Sequence, residues 1–277
     1  MQKYQHFNFL LDLLYLFVKL FFATLFVMGL FRLYLFFSHG LVGEYEVGDI
    51  LRSFILGFRL DASVLAYVFS LPVVILFIVW LLHLKFLQKF LYVFFRFYFS
   101  VFFIAMLFLY FSDYAYFSFF GEHSTLMIFG VFDDDTTALI KTAFANYNVF
   151  LIAFEVFVFI YLICFGVFKI IKRHKGYKKQ KEWGYFKQFG FFLLVIVMVG
   201  IVGRGSFGMF PLSYNTPDPT PNQFLNNISK NPIFAIFDSY NAYEKSKNGH
   251  YDLIKEVGYK HKIKGAFKIH TQKQNID

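Results

Sequence analysis

Cysteine is almost absent from this chain. The one residue, Cys164, sits inside an apolar run and cannot close an intrachain disulfide, so no redox framework holds the fold. A lone thiol in such surroundings packs as a small hydrophobe. Charge is scarce as well. Asp, Glu, Lys and Arg make up 16% of the residues, against about 25% in an ordinary soluble domain. The residue combinations that carry chemistry are missing too. The histidines are scattered without metal-ligand spacing, no glycine loop of Walker type occurs, and no Ser-His-Asp arrangement stands out. An active site needs a nucleophile, a base and stabilising donors brought together. Nothing in the sequence nominates such a set, and no metal or cofactor site is expected in this chain.

What the chain has is apolar surface. It is 58% hydrophobic and 24% aromatic, and Phe alone occurs 45 times in 277 residues. One water-soluble domain of this length cannot hide that much, so lipid is the simpler solvent. The net charge of +9 could suggest nucleic acid. The positive residues instead collect in short loops between apolar runs, which in a membrane protein sets orientation. Membrane lipids, and no nucleic acid, are the expected partners. The first apolar run is too long for a signal-peptide core and no small-residue cleavage site follows it, so it reads as a retained anchor.

The expected fold is all-α and polytopic, with five transmembrane helices and a short extracytoplasmic amphipathic tail. The spans fall at about 13–37, 62–82, 97–112, 149–168 and 188–203. The uncharged second run covers about 30 Å at 1.5 Å per residue, one hydrocarbon core. The third and fifth are short, and Arg96, Lys187 and Arg204 can snorkel to extend them. Pro72 should kink the second span, which neighbouring helices make tolerable. The loops alternate in sign. The first carries Glu44, Glu46 and Asp49, and the second Lys85, Lys89 and Arg96. The third carries Asp113, Glu122 and Asp133–Asp135 against Lys141, and the fourth a lysine-rich run over 169–187. The positive-inside rule then puts the N-terminus in the cytoplasm and the tail outside. A bacterial inner membrane is the expected location.

Three regions follow: a transmembrane domain over 1–203, linker and helices over 204–247, and a tail over 248–277 that is disordered or truncated. Residues 216–221 read TPDPTP, a stiff connector. A short helix should run over 222–229 until Asn231-Pro232 breaks it. A second helix follows, with Ile233, Phe234, Ile236, Phe237, Tyr240 and Tyr243 near one face. It is expected to lie on the outer membrane surface, with packing on a soluble domain as the alternative.

Arg59 and Asp61 stand just before the uncharged core of the second span, Arg32 near the outer end of the first, and Asp113 near the outer end of the third. Charges at membrane depth cost about 2.5–3.5 kcal/mol each on insertion scales, so they pair or face a cavity. They could form a polar cluster that holds a lipid headgroup, arginine meeting phosphate as a planar fork. The other reading is ion pairing between helices with no ligand. Asp133-Asp134-Asp135 reads as a helix start rather than a metal site, because consecutive acids rarely converge. Glu155, inside the fourth span, reads as an interhelical contact more than a proton relay. The basic run over 169–187 could bind anionic lipid, but fixing topology suffices to explain it.

Several segments look familiar in their order. Gly57-Phe58-Arg59-Leu60-Asp61 opens the second span and Asp113-Tyr114-Ala115-Tyr116-Phe117 ends the third. Arg204-Gly205-Ser206-Phe207-Gly208 follows the fifth, and Asn226 with Asn231-Pro232 lies in the tail. Together with five spans, this order resembles the membrane part of the lipoteichoic acid synthase-like, sulfatase-fold family of phosphoglycerol and phosphoethanolamine transferases. The resemblance extends to about Ser246. It implies an outward catalytic domain in which a threonine attacks a phospholipid headgroup with help from a divalent metal. No position here matches that nucleophile or its ligands. A sulfatase-like domain, separately encoded or missing, is therefore an expected partner, and 222–247 resemble the helices that couple the two parts. The ending over 269–277 does not read as a domain boundary, which leaves an artificial end, a frameshift or a split gene. Arg32, Arg59, Asp61, Asp113 and Arg204 are the candidate headgroup or ion-pair residues. The rival reading is a small scaffold or transporter. Transporters show paired broken helices or inverted repeats, and only Pro72 and Glu155 hint at either.

Overall fold

The computed structural model describes residues 2–40, 43–123, 157–158, 160–162, 164–167, 169–170, 183–206, 208–213, 216 and 218–247. The Asp133–Asp135 run, Glu155, most of the basic loop and the segment beyond 247 lie outside the described residues. So does much of the fourth expected span; its described residues, at 157–158, 160–162 and 164–167, are helical.

Among the described residues the architecture is all-helical. Helix α1 is Gln2–His39, α2 is Val47–Leu81, and a short 3-10 turn at Lys85–Leu87 leads into α3, Gln88–Phe120. Helix α4 is Tyr185–Arg204, and the tail forms α5, Gln223–Ser229, and α6, Pro232–Lys247. The long elements are helices for a solvent reason: lipid offers no hydrogen bonds, so each backbone group must be satisfied within its own segment. Four helices are long and apolar enough to cross a membrane: His6–His39, Val47–Leu81, Phe90–Ser118 and Tyr185–Arg204. They correspond to the first, second, third and fifth expected spans.

The third span is longer than its uncharged run suggests. Arg96 and Asp113 belong to α3, a helix of 33 residues, and do not flank it. Counting only the uncharged stretch cut the helix at charges it contains. Helix α2, 35 residues long, continues through Pro72 and measures about 52 Å. Its first 15 residues precede the uncharged run that begins at Ala62.

The helices meet through rings. Phe17 packs edge-on against Phe95 at 4.9 Å and Phe99 at 5.4 Å between centroids, and Phe69 lies 5.0 Å from Phe99. Apolar attraction does not drive helices together in lipid, so shape and edge-to-face geometry must do so. The opposite faces carry Phe22, Phe26, Phe97 and Phe108, all more than 60% exposed. In water they would be an aggregation hazard; in a bilayer they are solvated by acyl chains.

Polar bridges fix the helix ends. Where α2 ends and α4 begins, Trp80 Nε1 donates to Gln188 Oε1 at 2.7 Å, and Gln188 Nε2 donates to the Trp183 carbonyl at 2.6 Å. His6 on α1 lies 3.3 Å from the Val79 carbonyl and 2.9 Å from Gln88. These contacts put the starts of α1, α3 and α4 beside the end of α2. The ring core predicts a contrast. Phe17→Ala should cost about 3–5 kcal/mol through the cavity it leaves. Phe22→Ala, on the lipid face, should change stability by less than about 0.5 kcal/mol. Unfolding titrations in mixed micelles measure both.

Candidate functional site

The other end of the bundle holds the charges. Arg32 on α1 and Asp61 on α2 form a bidentate pair: Nη1 donates to Oδ2 at 2.8 Å and Nη2 to Oδ1 at 2.9 Å. Both side chains are buried, Asp61 at 1% exposure. The third donor of the fork, Arg32 Nε, reaches the Ile228 carbonyl at 2.9 Å, one of the acceptors that the end of α5 leaves unpaired.

Asn231 completes the arrangement. Its Nδ2 donates to Asp61 Oδ1 at 2.7 Å and to Tyr110 Oη at 3.1 Å. Its Oδ1 accepts from the Ile233 amide at 2.8 Å, capping the start of α6. One side chain thus joins α2, α3 and the tail. The guanidinium lies flat on Gly57, where a Cβ would sit 2.2 Å from Arg32 Cζ. Glycine is required there for close approach.

The tail closes over this pair. Asn226 and Thr220 are tied by three hydrogen bonds, the Asn226 Oδ1 accepting from Thr220 Oγ1 at 2.8 Å and from its amide at 3.1 Å, and Asn226 Nδ2 donating to the Thr220 carbonyl at 2.7 Å. Asn227 Nδ2 donates at 3.0 Å to the carbonyl of Gly121, the left-handed residue that ends α3. Leu225 and Ile228 pack with Leu35 and Phe117. In α6 the inward residues are Ala235 and Ser239, and Phe237 and Tyr240 stay exposed. The face expected from Ile233 to Tyr243 is therefore split: Ile233 and Phe234 pack against the bundle, and Phe237 and Tyr240 face away.

The five sequence candidates separate. Arg32 and Asp61 pair with each other. Asp113 instead lies 2.6 Å from His123, both buried. Arg59 does not touch Asp61; residues two apart on a helix point to nearly opposite sides. Arg59 donates through Nη2 to the Gly205 carbonyl at 2.9 Å. Arg204 holds the loop after α4, donating to the carbonyls of Ser206 at 3.2 Å, Gly208 at 2.6 Å and Met209 at 3.0 Å.

Sequence reasoning gave no role to His123 or Arg52, and read Asn231 as part of a helix break and of a segment resembling the family, not as a partner of Asp61. The signal for Asn231 was its place before Pro232, where asparagine caps a helix. The signal for Arg52 was its spacing of seven from Arg59, which puts both on one face. Arg52 and Arg59 line an open cavity of about 980 Å³ between α2 and the loop over 206–219. Among the described residues no three of His, Cys, Asp and Glu come together as a metal site. No family model, curated protein or solved structure matches this chain.

The pair makes a double test. Arg32→Met should destabilise by about 3–5 kcal/mol, because Asp61 is left buried and unpaired. Arg32→Met with Asp61→Leu should recover more than half of that loss, which independent losses would not. Gly57→Ala should behave like Arg32→Met, since its methyl displaces the guanidinium. Midpoints of detergent unfolding compare all three.

Proposed function

We propose that this chain is the membrane-embedded portion of a sulfatase-family phosphoglycerol or phosphoethanolamine transferase, serving a catalytic domain that acts on phospholipid headgroups at the outer leaflet. One observation carries the reading: the tail helices are locked onto the bundle through Asp61, Arg32 and Asn231. A tail held this way can carry a further domain at a fixed height and orientation. A free linker could not. The motif order in the sequence agrees, since Asp61 and Asn231, two of the three residues of the lock, belong to segments that resemble the family.

The chain crosses a bacterial inner membrane five times in this reading, with the N-terminus in the cytoplasm. The starts of α1, α3 and α4 lie at one end and their finishes at the other, so a return crossing between α3 and α4 fits the fourth apolar run. Loop charge supports the orientation. Reporter fusions test it. An alkaline phosphatase fused after residue 247 should be active, and one fused after Lys85 inactive. The reverse pattern would invert the topology.

The activity has its own test. Purified chain with a divalent cation and headgroup-labelled phosphatidylglycerol or phosphatidylethanolamine should release no label. Adding a cognate sulfatase-like domain should restore release. Robust turnover by the chain alone would overturn the division of labour, and no release with any such domain would favour the scaffold reading.

A further inference from the structure

The face of α2 that carries Arg52 and Arg59 continues downward without a break. Ile55 and Leu56 sit between the arginines, and Ala66, Tyr67, Ser70 and Val74 follow at helical spacing. The upper part lines the open cavity described above. The lower part lines a second cavity, of about 500 Å³, between α2 and α4. Pro211 borders both cavities, so the two are adjacent. The helices approach along this seam through small residues: Ser63 Oγ donates to the Gly203 carbonyl at 2.5 Å, and a Cβ at Gly203 would lie 3.6 Å from the Ala66 Cβ.

The charge along the seam is one-sided. Arg52, Arg59 and Arg204 line the two cavities, and no acidic side chain does so among the described residues. Arg204 is occupied by the loop, but Arg59 uses one donor on Gly205, and Arg52, itself exposed, pairs through one nitrogen with Asp49 at 3.5 Å. Arg59 stands about 5 Å above Ala62, where the uncharged run begins, and Arg52 about 10 Å higher on the same face. Lipid phosphates lie at the first height. Below it the walls are Val73, Val74, Ile196 and Val199, a surface suited to an acyl chain. The loop residues Met209 and Phe210, at 86% and 76% exposure, flank the upper cavity with apolar side chains.

We propose that the α2–α4 seam binds one anionic phospholipid, its phosphate on the free part of the Arg59 fork, its distal headgroup beside Arg52, and an acyl chain between Val74 and Val199. Guanidinium meets phosphate through paired donors, and the groove beneath selects a lipid over a free anion. In the transferase reading this site would hold the headgroup donor. Binding itself does not depend on that reading and is tested without turnover.

The experiment is a titration of the purified full chain in detergent with phosphatidylglycerol labelled on its acyl chain, with phosphatidylcholine as the zwitterionic comparison. Wild type should prefer phosphatidylglycerol. Arg52→Gln with Arg59→Gln should lower that affinity by about thirtyfold, the effect of two interfacial charges, and erase the preference. Gly200→Phe, placed where a Cβ meets nothing within 4 Å, should fill the lower groove and weaken both lipids. Lys187→Gln, at the far end of α4, should change nothing. Equal affinity for the two lipids in wild type, or no loss in the arginine double variant, overturns the proposal. Displacement by inorganic phosphate together with indifference to Gly200→Phe would mark a plain anion site and overturns it equally. If the glutamine variant fails to fold, Arg52→Lys with Arg59→Lys serves instead, and an unchanged affinity there together with an unchanged Gly200→Phe counts against the site.

Discussion

The buried ion pair between Arg32 and Asp61 is the constraint on which the rest of this structure depends. Two opposite charges at the edge of an apolar bundle are tolerable only if each donor and acceptor is met. The fork meets the carboxylate with two bonds, the α5 carbonyl takes a third donor, and Asn231 gives the carboxylate a third bond. None of these partners is interchangeable. Gly57 must lack a side chain for the guanidinium to lie where it does, and Asn231 must donate to Asp61 while its carbonyl caps α6. The chemistry that neutralises the charge is therefore the same chemistry that attaches the tail.

That attachment adds a constraint that the packing of apolar helices does not supply. In hydrocarbon the helices gain little from hiding apolar surface, because the solvent is as apolar as they are. The interlocked rings around Phe17 supply packing in the middle. Polar bridges supply register at the two ends, Trp80 with Gln188 at one and Arg32 with Asp61 at the other. A bundle pinned at both ends resists sliding and rotation of its helices. A tail bonded to one of the pins inherits that rigidity.

Four of the five expected spans were legible because hydropathy is a property of runs, and runs survive any detail of packing. The breaks in the tail were legible for a local reason: Asn222 and Asn231 cap helices that begin where the sequence says they should. Pairing was less legible. Arg59 and Asp61 are neighbours in sequence and look like a pair, yet the helix turns them apart and gives Asp61 to Arg32, 29 residues away. The partner of Asp113 is a histidine past the helix end. The pattern also did not say which residues of α6 turn toward the bundle. Close approach to the bundle favours the small Ala235 and Ser239 over the larger aromatics that a hydrophobicity count selects. Such choices depend on distances between elements, and a single sequence carries those only indirectly.

The same end of the bundle contains two kinds of arginine, and the difference between them has a physical consequence. Arg32 is consumed: each of its bonds ends on a protein acceptor, and its charge is cancelled by a buried carboxylate. Arg59 has a carbonyl for company and no carboxylate, and it stands at the height where a membrane presents phosphates. A cation at that depth is stabilised by an anion from somewhere. The helix turns the nearest carboxylate in sequence, Asp61, toward Arg32, so in the proposed site the counter-charge for Arg59 is the lipid phosphate. The helix that turns Asp61 inward to the lock turns Arg59 outward beside an apolar groove, and the structural site and the proposed ligand site follow from that one geometry.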